Sequence, residues 1–160
     1  MSKIKTLKEI KKISQKLKKN GKTIVFTNGC FDIIHPGHIK ILKKAKSLGD
    51  VLIVGLNSDK SVKKIKGEKR PVIDQKGRCE ILSCFWMVDY IVLFNEETPI
   101  KLIKTILPDF IVKGGDYKRK EVVGKDIVEK YGGKVIIIPL YKKYSTTNLI
   151  RKINENFKNC

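Results

Sequence analysis

From residue 23 onward the chain alternates short apolar runs with longer amphipathic segments. The runs 23–27, 51–56, 90–94, 110–113 and 135–138 are dense in valine and isoleucine and are bounded by glycine, aspartate or asparagine. Runs of this length and composition predict five strands buried on both faces. Between and after them, helix-length segments lie near 37–48, 75–87, 99–107, 122–131 and 145–157. Strict alternation of strand and helix predicts an α/β, doubly wound, five-stranded parallel sheet with helices on both faces, joined by right-handed crossovers. Ahead of the first strand, residues 1–20 put Ile10, Ile13 and Leu17 on one stripe and end at Asn20-Gly21. This predicts an N-terminal amphipathic helix packed against the sheet domain. With no repeat, linker or low-complexity segment, residues 1–160 are expected to form one domain: a helix over 1–20 and a core over 22–153.

In a sheet of this kind ligands bind beyond the carboxyl ends of the strands, where the strand order reverses. The loop after the first strand reads Thr27-Asn-Gly-Cys-Phe-Asp-Ile-Ile-His-Pro-Gly-His38, and it holds both histidines of the chain. Pro36 and Gly37 are placed to open the next helix. Two imidazoles in one first helical turn, beside unpaired backbone N–H groups and the positive end of the helix dipole, suit a phosphate. Asp32, His35 and His38 as metal ligands are the competing reading. It lacks a supporting Cys or Glu at ligand spacing, and no H-E-x-x-H is present. No P-loop and no G-x-G-x-x-G occurs, so phosphates must be held by other means.

Two further loops share the carboxyl edge. Ser145, Thr146 and Thr147 begin the terminal helix. Simple N-capping explains three hydroxyls there, and a second anion cradle does so equally if they face the histidines. Lys113-Gly-Gly-Asp116-Tyr117 follows the fourth strand, where a β-to-α turn and a site are both open readings. Lys63, Lys64 and Lys66 form a basic run expected in a solvated loop. Residues 81–88, with Phe85, Trp86 and Met87 adjacent, carry more apolar surface than one helical face buries, as a core helix or a subunit contact would.

Charge changes the picture less than its size suggests. Lys and Arg number 35 against 16 acids, a formal charge of +19, but only Arg70, Arg78, Arg119 and Arg151 are arginine. Readers of nucleic acid lean on arginine forks, so a lysine excess spread along the chain argues against a nucleic-acid partner and for anionic small molecules. No apolar run approaches a membrane span and the N-terminus has no signal-peptide core, so no membrane partner and a cytoplasmic location are expected. Cys30, Cys79, Cys84 and Cys160 show no paired spacing and are expected to be reduced.

The histidine loop, Leu48-Gly-Asp50 and Val54-Gly-Leu-Asn-Ser-Asp59 resemble the HxGH nucleotidylyltransferase superfamily, in its cytidylyltransferase-like group. Lys66-Gly67, Arg70-Pro71-Val72, Val88-Asp89-Tyr90, Glu97-Thr98-Pro99, Lys113 to Tyr117, Tyr131-Gly-Gly133 and Ser145-Thr-Thr147 narrow the resemblance to the heptose 1-phosphate adenylyltransferase domain of ADP-heptose synthases. It covers residues 22–153. Pro36 stands where alanine is expected in that group, and the sugar-kinase half is absent, which implies a separate kinase upstream.

The resemblance implies a Rossmann-like fold and transfer of AMP from ATP to D-glycero-β-D-manno-heptose 1-phosphate, with release of pyrophosphate, for lipopolysaccharide-type precursors. It implies His35, His38 and Lys66 as catalytic residues. Thr27, Asn28, Gly29, Phe31, His35, Gly37, His38, Lys113, Asp116, Ser145, Thr146 and Thr147 would bind nucleotide. Asp32, Asn57, Asp59 and Arg78 would serve the sugar phosphate. Mg²⁺ would arrive with ATP with no dedicated protein site, and a homodimer is implied. Another sugar- or polyol-phosphate nucleotidylyltransferase, such as a glycerol-3-phosphate cytidylyltransferase, is the alternative. A nucleic-acid module and a non-catalytic nucleotide sensor are the readings outside that class.

Overall fold

A computed structural model describes residues 2–115, 122–139 and 144–156. Its elements run α1 (Leu7–Lys19), β1 (Ile24–Gly29), α2 (Pro36–Lys46), β2 (Val51–Asn57), α3 (Asp59–Lys66), α4 (Gln75–Ser83), β3 (Tyr90–Phe94), α5 (Ile100–Ile106), β4 (Phe110–Gly114), α6 (Lys125–Lys130), β5 (Lys134–Ile138) and α7 (Thr146–Asn156). All five strands pair in parallel in the order β3-β2-β1-β4-β5, the expected doubly wound sheet. The order reverses between β1 and β4, and that is where their carboxyl ends form a crevice.

Period-two alternation along β1 sorts its side chains into two cores. Val25 joins Leu42 and Ala45 of α2, Leu82 of α4 and Val54 of β2 on one face. Ile24 and Phe26 join Ile10 of α1, Leu102, Ile103 and Ile106 of α5, and Val128 of α6 on the other. Each fully buried side chain of this size contributes about 1.5–3 kcal/mol, so the two layers carry the fold. The N-terminal helix is capped by Thr6, whose Oγ1 accepts from Glu9 N at 3.2 Å while Glu9 Oε2 accepts from Thr6 N at 2.7 Å. Residues ahead of it run along β3: Ile91 N donates to Lys3 O and Lys5 N to Ile91 O.

Three aspartates fix the amino edge of the sheet. Asp50, Asp89 and Asp109 each stand at or just before the start of a strand, and accept from Thr23 N at 2.8 Å, Leu52 N at 2.7 Å and Ile24 N at 2.7 Å. Each carboxylate satisfies an amide at the start of a neighbouring strand, which sets the register from the end opposite the crevice.

Two expectations about elements need correction. Lys63, Lys64 and Lys66, expected in a solvated loop, lie on α3, which forms because the Ser58 hydroxyl accepts from Ser61 N and Val62 is fully buried. Helix α4 stops at Ser83 instead of reaching residue 87. The chain turns through Cys84 to Trp86 so that Met87 and Val88 enter the core, leaving Trp86 71% exposed. No helix among the described residues is long and apolar enough to cross a membrane. Cys30, Cys79 and Cys84 are free thiols, while Cys160 lies outside the described residues.

Candidate functional site

The crevice opens because β1 and β4 part company. Their pairing ends at Thr27 and Val112, whereas β1 and β2 remain paired to Gly29 and Leu56. Lys113 bridges the gap, its Nζ donating to Asn28 Oδ1 at 2.5 Å. Burial pushes this ammonium down to about 8, which leaves a desolvated cation at the floor of the cleft. The cleft encloses about 450 Å³ and is lined by Asn28, Gly29, Phe31 and His38 on one flank, Lys113 and Ser145 to Thr147 on another, and Asn57, Lys66, Arg70 and Glu97 to Pro99 on a third.

His35 and Pro36 open α2, and the histidine rings stack at 3.8 Å between centroids, inclined by 23°. Gly37 permits this: a Cβ there would lie 2.9 Å from His35 Cε1. Phe31, held at φ +46, a backbone region that side chains rarely adopt, sets its ring 5.1 Å from that of His38. Gly29 accepts the fold-back, since a Cβ there would meet Phe31 Cε2 at 3.2 Å. Burial and the neighbouring His35 push His38 down to about 4, and burial also lowers His35, so both imidazoles are neutral at pH 7. The Nδ1 of each is buried with no hydrogen-bond partner among the described residues. A buried N–H without an acceptor is the costlier orphan, which favours the tautomer that carries its proton on Nε2. The arrangement supplies neutral N–H donors at a helix N-terminus, a setting made for phosphate oxygens.

At the other rim Ser145 caps α7, its Oγ accepting from Asn148 N at 3.1 Å, and Thr146 and Thr147 line the cleft beside it. The hydroxyl turn therefore caps α7 and borders the cleft at once. Gly114 serves packing: a Cβ on it would collide with Ile41 of α2. Thr27 is buried within β1 and does not line the cleft, and Asp116 lies outside the described residues.

The residues expected on the sugar-phosphate side divide. Asn57 lines the cleft, with Nδ2 donating to Ser61 Oγ at 2.9 Å. Arg78 is fully buried and off the cleft. Its Nη2 donates to Asp59 Oδ1 at 2.8 Å, its Nε to Ile73 O at 3.0 Å and its Nη1 to Cys30 O, which ties the start of α3 to the loop before α4 and the β1–α2 loop. Asp32, 1% exposed, spends both oxygens on Arg70 Nε at 2.6 Å and on the amides of Val72 and Ile73, each at 2.9 Å. Burial alone would raise its carboxyl. The two amides and the guanidinium outweigh burial and hold it below the usual range. Burial pushes the Cys30 thiol up, so at neutral pH it meets the cleft as a protonated thiol. Arg70 was not among the expected ligands, although an arginine in so lysine-rich a chain was a signal for a planar fork.

A larger depression of about 1050 Å³ runs between α2 and β5, lined by Ile34, Ile39, Ile136 to Ile138 and three lysines. Its wall carries His35, Lys40, Lys43, Lys44 and Ser47 among a majority of apolar side chains, whereas His38, Lys113, Lys66, Arg70 and the α7 hydroxyls come from several segments onto the smaller cleft, the better place for chemistry. Among the described residues no three His, Cys, Asp or Glu side chains come together as metal ligands.

Comparison with known proteins agrees with this geometry. The chain is 55% identical over 152 residues to the bifunctional protein HldE of Geobacter metallireducens and 54% identical over 157 residues to that of Aliarcobacter butzleri. The matches cover 95% and 98% of this chain, but it spans about a third of the length of those relatives, 31% and 32%. Among solved structures, the lipopolysaccharide core biosynthesis protein of Thermoplasma volcanium is 35% identical with a TM-score of 0.61, over 75% of this chain and 97% of that one. A pantoate-beta-alanine ligase of Francisella tularensis, 20% identical with a TM-score of 0.63, covers all of this chain and 80% of its own and shares the fold alone. The profile of the cytidylyltransferase-like family matches residues 26–152, from the middle of β1 through the hydroxyls that begin α7, and so takes in both rims of the cleft. A chain matched over that span, with the histidine turn and the hydroxyl turn facing one crevice, belongs to the cytidylyltransferase-like family.

Proposed function

We propose that this chain transfers AMP from ATP to D-glycero-β-D-manno-heptose 1-phosphate, giving ADP-heptose and pyrophosphate. The observation that carries the reading is one cleft at the β1/β4 switch point lined by the neutral His38 imidazole and the Ser145 to Thr147 hydroxyls on two flanks, and by Lys66 and the Asp32-paired Arg70 on the third. The shared sequence with the HldE proteins, in the third of their length that this chain spans, supports the sugar and the nucleotide. An oxygen of the sugar phosphate attacks the α-phosphorus of ATP. The new P–O bond forms as the bond to the β-phosphate oxygen breaks, and pyrophosphate leaves with that electron pair. No covalent enzyme intermediate is required, so position and charge stabilisation supply the rate.

In this reading His38 and His35 donate Nε2–H to the triphosphate, where charge builds up as the pentavalent phosphorus forms. Ser145, Thr146 and Thr147 hold the same phosphates from the α7 rim, and Asn28, Gly29 and Phe31 shape the nucleotide wall. Lys113 leaves Asn28 for a phosphate oxygen, and a polyanion restores the full charge that burial had depressed. Lys66, in the last turn of α3, meets the sugar phosphate side. The carboxylates on the cleft do not make a metal cage, since Asp32 is saturated and Glu97 pairs with Lys64 at 3.7 Å on the surface. That donor set fits Mg²⁺ carried on the triphosphate, where it would neutralise phosphate charge. Residues 1–160 act in this reading as one nucleotidyl-transfer domain in the cytoplasm, as a homodimer, on a sugar 1-phosphate that a sugar kinase supplies.

Pyrophosphate release measured over ATP, CTP, GTP and UTP against heptose 1-phosphate and glycerol 3-phosphate, with Mg²⁺, tests the assignment. ATP with heptose 1-phosphate is expected to be turned over at least tenfold faster than any other pair. Preference for CTP with glycerol 3-phosphate would replace the proposal with the alternative.

A further inference from the structure

The third flank of the cleft contains a guanidinium that is aimed but not spent. Arg70 keeps only 16% of its side-chain surface exposed and gives one of its five N–H donors, at Nε, to Asp32. Its own backbone N–H donates to Gly67 O at 3.1 Å, so the residue is anchored at both ends. Nη1 and Nη2 have no protein acceptor among the described residues, and Arg70 lines the cleft next to Lys66. A mostly desolvated cation with four unused N–H groups in a fixed plane is an incomplete ion pair. Its geometry matches two oxygens of a tetrahedral phosphate.

Asp32 explains why the plane is fixed. Its oxygens are occupied by Arg70 and by the Val72 and Ile73 amides, so it has nothing to offer a ligand, and its negative charge would repel a phosphate placed directly on it. What it does offer is orientation: it pins Nε and leaves the Nη edge to face outward.

We infer that Arg70 is the phosphate clamp of the acceptor, gripping two oxygens of a phosphomonoester dianion while the third attacks, and that Asp32 is the positioning residue behind it. The inference rests on the nucleotidyl-transfer reading for the role of that phosphate, and it names the side chain that selects phosphorylated acceptors over free sugars. Being a dianion already, the acceptor needs no base to remove a proton.

The test is calorimetric and does not require turnover. Wild type, Arg70→Gln and Arg70→Lys, each of the full chain, are titrated with a non-hydrolysable ATP analogue. Each is then titrated, with that analogue bound, with heptose 1-phosphate, glycerol 3-phosphate and inorganic phosphate. Arg70→Gln is expected to weaken the best-bound phosphomonoester at least about thirtyfold while the ATP analogue stays within about threefold. Arg70→Lys is expected to recover only part of the loss, because an ammonium cannot fork. Equal weakening of both ligand classes, unchanged phosphomonoester affinity in Arg70→Gln, or no phosphomonoester binding in wild type would each overturn the clamp. Wild-type turnover with a different sugar phosphate would instead remove the proposed substrate, and the clamp would then be judged on that acceptor.

Discussion

Gly37 is the residue on which the histidine pair turns. A methyl group at this position would press on the His35 ring from 2.9 Å, and the nearest atoms are imidazole rather than backbone, so the ring moves and the helix stays. Alanine also favours the helical turn by roughly 1 kcal/mol over glycine. Gly37→Ala is therefore expected to melt within a few degrees of wild type while losing at least tenfold in kcat, and His38→Ala to lose about a hundredfold or more. Near-wild-type turnover in His38→Ala would take the imidazole out of the mechanism. Phe31 stores strain for the same purpose, since a left-handed backbone at a non-glycine residue costs on the order of 1–2 kcal/mol and persists here because its ring is packed against His38.

Among the elements, α3, α4 and the β1–α2 loop meet through one buried arginine. Arg78 sits on α4, Asp59 begins α3, and Cys30 follows β1, so a single guanidinium on α4 fixes two segments that border the cleft. Removing it strands the Cys30 and Ile73 carbonyls and leaves Asp59 without its cation. Arg78→Met is expected to cost about 3–5 kcal/mol in urea unfolding. A cost under 1 kcal/mol would mean that the junction is held by packing alone. Such a variant would lower activity by loosening the cleft, whereas Arg70→Gln lowers acceptor affinity in an intact fold, and that contrast separates the two arginines that look alike in the sequence.

At the scale of the whole molecule, two half-buried neutral histidines make stability depend on pH. His38 is lowered from an ordinary value near 6.5 to about 4, and His35 is lowered as well, so between these values the unfolded chain binds more protons than the folded one. Stability is then fully present above about 6.5 and is lost as pH falls towards 4. The melting temperature is expected to fall by several degrees from pH 7 to pH 5, and His38→Gln to flatten that slope. A wild-type melting temperature that rises across this interval would contradict neutral, half-buried imidazoles. The +19 charge has no comparable single cause, since most of its lysines lie on solvated surfaces away from the cleft.

The periodicity of the chain determined the sheet, its five strands and the helices around it, because β-branched runs and amphipathic segments are local signals that burial then obeys. The same holds for the histidine turn and the hydroxyl turn, since Pro36, Gly37 and Ser145 act on the helices they begin. Helix α3 escaped notice because one buried residue, Val62, gives too little periodicity to read in a lysine-rich stretch, and α4 ended early because Val88 had to enter the core. Tertiary structure alone decided which charged residues face the cleft. Asp32, Arg70, Arg78 and Asp59 are all charged groups, and only their partners, up to 48 positions away along the chain, separate those turned inward from those that face the cleft. Charge in a sequence has a sign but no direction. Direction came from the carboxylate that turned Arg70 towards the crevice and the carbonyls that turned Arg78 away.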